Sequence, residues 1–235
     1  MPSQVVSNPV TVVVATAPTF ISHSTKDLRR ARLISRLLAA AGMMPFLAHE
    51  DIRPSTRWRA EIKRNLATCA GFVALLTRNF KTSDWCDQEA GYIVSRPTVH
   101  VLSIRISRAS YGFLDEFQDF RWDTHRRSSD RRNLERLLTA LRELGWVSST
   151  SMLHGLKSCK DLPIIGIVSR AVHDGPKLTP QEGQLLAEAI LANKRLRRSP
   201  AANSIFPGKL SAVFDKLPES VQRKLGDIGF GPVMH

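Results

Sequence analysis

Residues 71–76, "GFVALL", are apolar at every position, with no polar residue to set up an alternation. A strand with one wet face has a period of two, so an unbroken run of strand formers predicts a strand covered on both faces. Such strands belong to parallel sheets, where every return to the sheet needs a crossover, usually a helix. The flanking sequence supplies these. Upstream, "TFISHS" reads as a short strand ending in Ser22, His23 and Ser24, and the next stretch sets Leu28, Ala31, Ile34, Leu38 and Ala41 at helical spacing. Ser24 and Asp27 form a capping-box-like start, and Gly42 a stop. "MMPFLA" is a further short apolar run. The polar "HEDIRPS" is kept from being helical by Pro54, and "STRWRAEIKRNLATC" then stacks Trp58, Ile62, Leu66 and Cys69 on one side of a second helix.

Downstream come a helix, "SDWCDQEAGYIVSR", a strand, "TVHVLSIRI", a loop or short helix, "YGFLDEFQDFRW", and a Leu-rich helix, "SDRRNLERLLTALRELG". The expectation is four strands alternating with helices in an α/β sheet. Beyond Trp146 the texture changes. Residues 147–177 read as irregular with one apolar run at "PIIGIV"; Thr179 and Pro180 open a helix, and a last helical pair flanks Pro218. The chain divides into an extension (1–16), an α/β domain (17–147) and a mostly helical region (148–235).

Glu89 is the anomaly in this pattern. Phased at about 100° per residue, the helix after Ser83 puts Trp85, Cys86, Ala90, Tyr92, Ile93 and Val94 on one broad face, and Glu89 falls between Trp85 and Ile93 rather than with Asp84 and Asp87. An unpaired buried carboxylate is costly. Either Glu89 pairs with Arg96 or a neighbouring helix, or it serves chemistry.

Composition narrows the alternatives. The net charge of +13 attracts anions, but it is spread along the chain, with "RRSSDRR" and "KRLRR" the densest clusters, and no recognition motif or aromatic interleaving accompanies it. Nucleic acid is therefore not an expected partner. Cys69, Cys86 and Cys159 have no metal-ligand spacing and fit reduced thiols, so no metal site is expected. No apolar run reaches the roughly 20 residues of a membrane span, and the Val run near the amino terminus lacks a basic region before it. A cytoplasmic protein is the expectation. There is no G-x-G-x-x-G and no P-loop.

Three segments in this order and spacing, "TFISHSTKD", "HEDIRPSTRWRAEI" and "SDWCDQEAGY", resemble the first strand motif, the BB loop and the W-x-x-x-E helix of TIR (Toll/interleukin-1 receptor) domains of the bacterial type. The resemblance covers about residues 17 to 125. It implies a flavodoxin-like parallel sheet flanked by helices, and an NAD+-cleaving activity at the bond between nicotinamide and ribose. In that reading NAD+ is a substrate rather than a cofactor. It makes Glu89 the catalytic residue, with Trp85 at the W position and Phe20, Ile21 and Ser22 beside the nicotinamide. The BB loop falls on His49, Glu50, Asp51, Ile52, Arg53, Pro54 and Ser55, gates the site and takes part in assembly. Arg53 is a candidate for the pyrophosphate, against the plainer reading of an exposed loop charge. The resemblance further implies self-association through TIR domains and a place in antiviral defence, with residues 148–235 available to a partner protein. A scaffold acting only through homotypic contacts is the alternative. For Trp85 and Trp58 the competing reading is core packing, for Ser22 and Ser24 a strand end and a helix cap, and for His23 and His49 a structural or solvated role.

Overall fold

Strands β1 (Pro18–Ser22), β2 (Met44–Leu47), β3 (Gly71–Leu76), β4 (His100–Arg105) and β5 (Asp119–Arg121) form one sheet in the order β2-β1-β3-β4-β5, every neighbouring pair parallel. This is a computed structural model, and it describes residues 18–47, 58–117, 119–124 and 129–230. The fifth strand corrects the expectation of four. It lies in the segment read as a loop or short helix, and at three residues it is too short to show a period. The five residues Gly112–Glu116 before it do make a 3-10 turn.

Helices α1 (Leu28–Ala40), α2 (Trp58–Thr68), α3 (Arg78–Lys81), α4 (Asp84–Val94) and α5 (Ser129–Glu143) accompany the strands. The path runs from β1 outward to β2 and then back past β1 to β3. In such sheets ligands bind where the direction of winding reverses, which here is at the carboxyl ends of β1 and β3. Alternation along the strands divides the core. Phe20, Phe72, Ala74 and Leu76 meet α2 and α4, whereas Ile21, Val73, Leu75, Leu102 and Ile104 meet α1 and α5.

The expected start of α1 is only partly right. Thr25–Asp27 is a 3-10 turn and Ser24 makes no side-chain cap. The Asp27 carboxylate instead accepts hydrogen bonds from Thr77 Oγ1 (2.6 Å) and Asn79 Nδ2 (3.2 Å), tying α1 to the end of β3. Gly42 does stop the helix, at φ +88°, where a side chain would be strained.

From Ser148 onward the chain is helical: α6 (Ser149–Ser158), α7 (Leu162–His173), α8 (Pro180–Ala192), α9 (Lys194–Arg197), α10 (Pro200–Ser211) and α11 (Glu219–Asp227). Helices α6 and α7 correct the irregular reading of residues 147–177. Both are well capped, α6 by a Ser148–Ser151 capping box and α7 by Asp161, which accepts from Ile164 N. In α7, seven residues including Ile164, Ile165, Ile167, Val168 and Val172 are buried, and this dense β-branched run reads as readily as a strand.

This helical group sits on the α1 and α5 face. The contact is close: a Cβ on Gly155 would lie 2.2 Å from the Ala40 carbonyl oxygen, and one on Gly42 2.0 Å from that of Ser151. Backbone meets backbone there because Gly42 and Gly155 have no side chain. Asn193, buried, fixes the far end of α6 by donating to the carbonyls of Leu156 (2.7 Å) and Cys159 (2.9 Å) while its Oδ1 caps α9. One apolar cluster runs from Ile21 through α1 and α5 to Phe230.

Candidate active site

Ser22 ends β1, two residues beyond Phe20, and so points to the α2 and α4 face. Helix α4 leaves the β3 end through α3, and its start is fixed by Ser83, whose Oγ accepts from Cys86 N. From that start Cys86, Glu89, Ala90 and Ile93 turn inward. The inward phase of Glu89 read from the sequence is what the structure has. Tyr92 departs from it: it is 44% exposed rather than part of the apolar face.

Glu89 is 4% exposed, and its Oε2 accepts a hydrogen bond from Ser22 Oγ at 2.6 Å. Among the described residues no cation pairs with it. Arg96, the alternative partner, is used elsewhere, donating to the backbone carbonyls of Leu66 and Cys69. Burial therefore pushes the Glu89 carboxyl up from an ordinary 4.5 to about 7, with the Ser22 hydroxyl pulling the other way. Burial also pushes the neighbouring Cys86 thiol up to about 12, so it is no nucleophile near neutral pH. All three cysteines are free and buried.

Glu89 opens on a cavity of about 320 Å3 between α2 and α4. Ile62 and Leu66 give it an apolar wall, Trp85 and Tyr92 an aromatic one, and Arg59 and Lys63 a basic edge, with Gln88 beside the carboxylate. Trp58 and Trp85 meet edge to face, ring centroids 4.7 Å apart, and the Arg59 guanidinium lies 5.5 and 5.6 Å from their respective ring centres. Trp58 is 38% exposed, which corrects its assignment to the core. A second hollow, about 420 Å3, adjoins the first and shares Arg59 and Lys63 with it.

The residues nominated from sequence are thus only partly gathered. Ser22, Trp85 and Glu89 come together. Phe20 is fully buried behind them, packed on Phe46 and Phe72 at ring distances of 5.5 and 5.9 Å, and Ile21 points into the opposite cluster. His49, Glu50, Asp51, Ile52, Arg53, Pro54 and Ser55 lie outside the described residues. Sequence reasoning missed Arg59, Lys63, Gln88 and Tyr92. Its signal was available for the first two, since Arg59, Ile62, Lys63 and Leu66 share one face of α2 at helical spacing.

The chemistry open to this arrangement is that of one carboxylate in a partly dry pocket, near cations but not bonded to them. It can stabilise a positive charge that develops beside it. No cluster of three or more His, Cys, Asp or Glu side chains suited to a metal occurs among the described residues, nor any helix long and apolar enough to cross a membrane. A family model described as "TIR domain" matches residues 19–138, just over half the chain, and its span takes in Ser22, Arg59, Lys63, Trp85 and Glu89. No curated protein matches the chain.

Proposed function

The chain belongs to the TIR-domain family, and on that premise we propose that it is an NAD+ glycohydrolase, cleaving the nicotinamide–ribose bond to give nicotinamide and ADP-ribose or a cyclic isomer. The observation that carries this reading is Glu89: a carboxylate 4% exposed, hydrogen-bonded to Ser22, without a cationic partner among the described residues, and open to a cavity.

Nicotinamide joined to ribose is already a cationic leaving group, so no general acid is needed. The bonding pair leaves with nicotinamide, which becomes neutral, and positive charge accumulates on the ribose ring. The Glu89 carboxylate lies against that charge and accepts from the ribose hydroxyls. Water then adds to the ribosyl cation and releases a proton, or a nucleophile within the ADP-ribose closes a ring. A carboxylate in this role contributes on the order of 10² to 10⁴ in rate. Trp85 and Tyr92 exclude water from the nicotinamide. The two hollows, joined by Arg59 and Lys63, suit a dinucleotide: one nucleoside half in each, with the pyrophosphate across the basic edge.

Catalysis in this reading takes place in a self-associated form, through TIR surfaces that include the site's rim, and serves defence signalling in the cytoplasm. Residues 148–235 carry the contact to a partner protein. The test is nicotinamide release from NAD+ at high protein concentration, wild type against Glu89→Ala, with assembly followed in parallel. Loss of release with assembly intact supports the enzyme; equal release from both sinks it.

A further inference from the structure

Beyond the α2–α4 cavity, the carboxyl ends of β4 and β5 enclose a larger concavity of about 660 Å3. The two cavities have no lining residue in common. Arg105 and Arg121 are the last residues of β4 and β5, Arg108 lies in the loop after β4, and Arg136 projects from α5. Among the described residues four arginines therefore line one hollow, with Asp123 the single carboxylate among them.

These arginines are held but not consumed. Arg136 stacks 5.3 Å from the centre of the Phe120 ring and donates to the Arg121 carbonyl at 3.3 Å, which fixes its direction. Arg105 reaches Asp119 only at 3.9 Å, and that carboxylate is already engaged by Ser110. Among the described residues no carboxylate pairs with Arg108 or Arg121. Trp122, in the same wall, keeps its buried indole N–H without an acceptor among the described residues.

Arginines in excess of carboxylates at the strand ends of a parallel sheet suit an anion that accepts bidentate hydrogen bonds. A single phosphate occupies one or two arginines and leaves most of the volume empty. Nor does the hollow suit single-stranded nucleic acid, which needs exposed aromatic platforms, because its one aromatic residue, Trp122, is 2% exposed. We propose that this concavity is a second ligand site, binding a small molecule that carries two linked phosphate groups. The volume lies within the range of small-molecule sites, roughly 300–1,000 Å3, and leaves room for a nucleoside-sized remainder.

Titration calorimetry on the full chain, without divalent cations, tests this with inorganic pyrophosphate as the probe and orthophosphate and a short single-stranded oligonucleotide as comparisons. The expected result is saturable binding of one pyrophosphate at this site, tighter than orthophosphate. The exposed double substitution Arg108→Gln, Arg121→Gln is expected to weaken it by at least about tenfold, and Glu89→Gln and Lys63→Gln to leave it unchanged. The proposal is overturned by absence of saturable binding at millimolar pyrophosphate, by binding that the arginine pair does not affect, or by binding lost with Lys63→Gln. It is equally overturned if the oligonucleotide binds more tightly than pyrophosphate and depends on the same two arginines.

Discussion

One face of the sheet is roofed by α1, α5 and the helices from α6 onward, and 42 described residues join there into one buried apolar cluster; the other has α2, α3 and α4, and 13. The thick face contains close backbone contacts and well-filled caps. The thin face contains a cavity, a half-open aromatic pair and a buried acid. A carboxylate with a raised pKa weakens whatever surrounds it, so it is tolerated where the bulk of the core lies elsewhere. Cohesion and chemistry are thereby separated across a single sheet, and substitutions on the two faces have different signatures.

The largest stability effects belong to the thick face. Leu156→Ala, a fully buried side chain in α6, is expected to lower unfolding free energy by about 3–5 kcal/mol and to leave nicotinamide release per folded molecule unchanged. Chemical denaturation beside an activity assay checks both. Gly155→Ala follows, at about 3 kcal/mol, since its Cβ would sit 2.2 Å from the Ala40 carbonyl oxygen and only backbone movement relieves that. A neutral outcome at Gly155 would break the claim that α6 is seated directly on α1.

On the thin face the effects are smaller in stability and larger in rate. With Glu89 at about 7, kcat/KM is expected to rise with pH through that value, falling about tenfold per pH unit on the acid side. Ser22→Ala removes the hydrogen bond that lowers the Glu89 pKa. Its pH profile is expected to move upward and its rate near pH 7 to drop by about tenfold, with little change in unfolding free energy. An unshifted profile would mean that the 2.6 Å contact does not govern ionisation.

Legibility in the sequence cuts across that division. The buried strand 71–76 and the amphipathic α1, α2, α4 and α5 announce themselves because each has one face to hide, and the inward phase of Glu89 is visible for that reason. Helix α7 carries a dense run of Ile and Val that imitates a strand, and α6 is ten residues long with only Met152, Leu153 and Leu156 as large apolar side chains to set a period. The three residues of β5 are held by pairing to β4, a tertiary contact with no local signal. The Ser22–Glu89 contact joins positions 67 apart, which spacing along one helix cannot reveal. Helical phase and apolar bulk place Tyr92 and Trp58 inward, whereas both sit at the cavity edges.

Glu89→Gln gives the most direct test, because the account requires one substitution to act in opposite directions on two properties. The folded-state pKa lies above the ordinary value, so the neutral acid is tolerated at low pH and stability is lost as pH rises from about 4.5 to about 7, by about 3 kcal/mol in all. Unfolding of wild type and variant at about pH 4 and about pH 8.5, with nicotinamide release at the higher pH, reads both properties. The predicted result is a variant that gains about 3 kcal/mol over wild type between the two pH values while release falls by at least about 100-fold. A variant that keeps its turnover, or whose stability relative to wild type does not rise with pH, would contradict the assignment of Glu89 as a buried carboxylate held for catalysis.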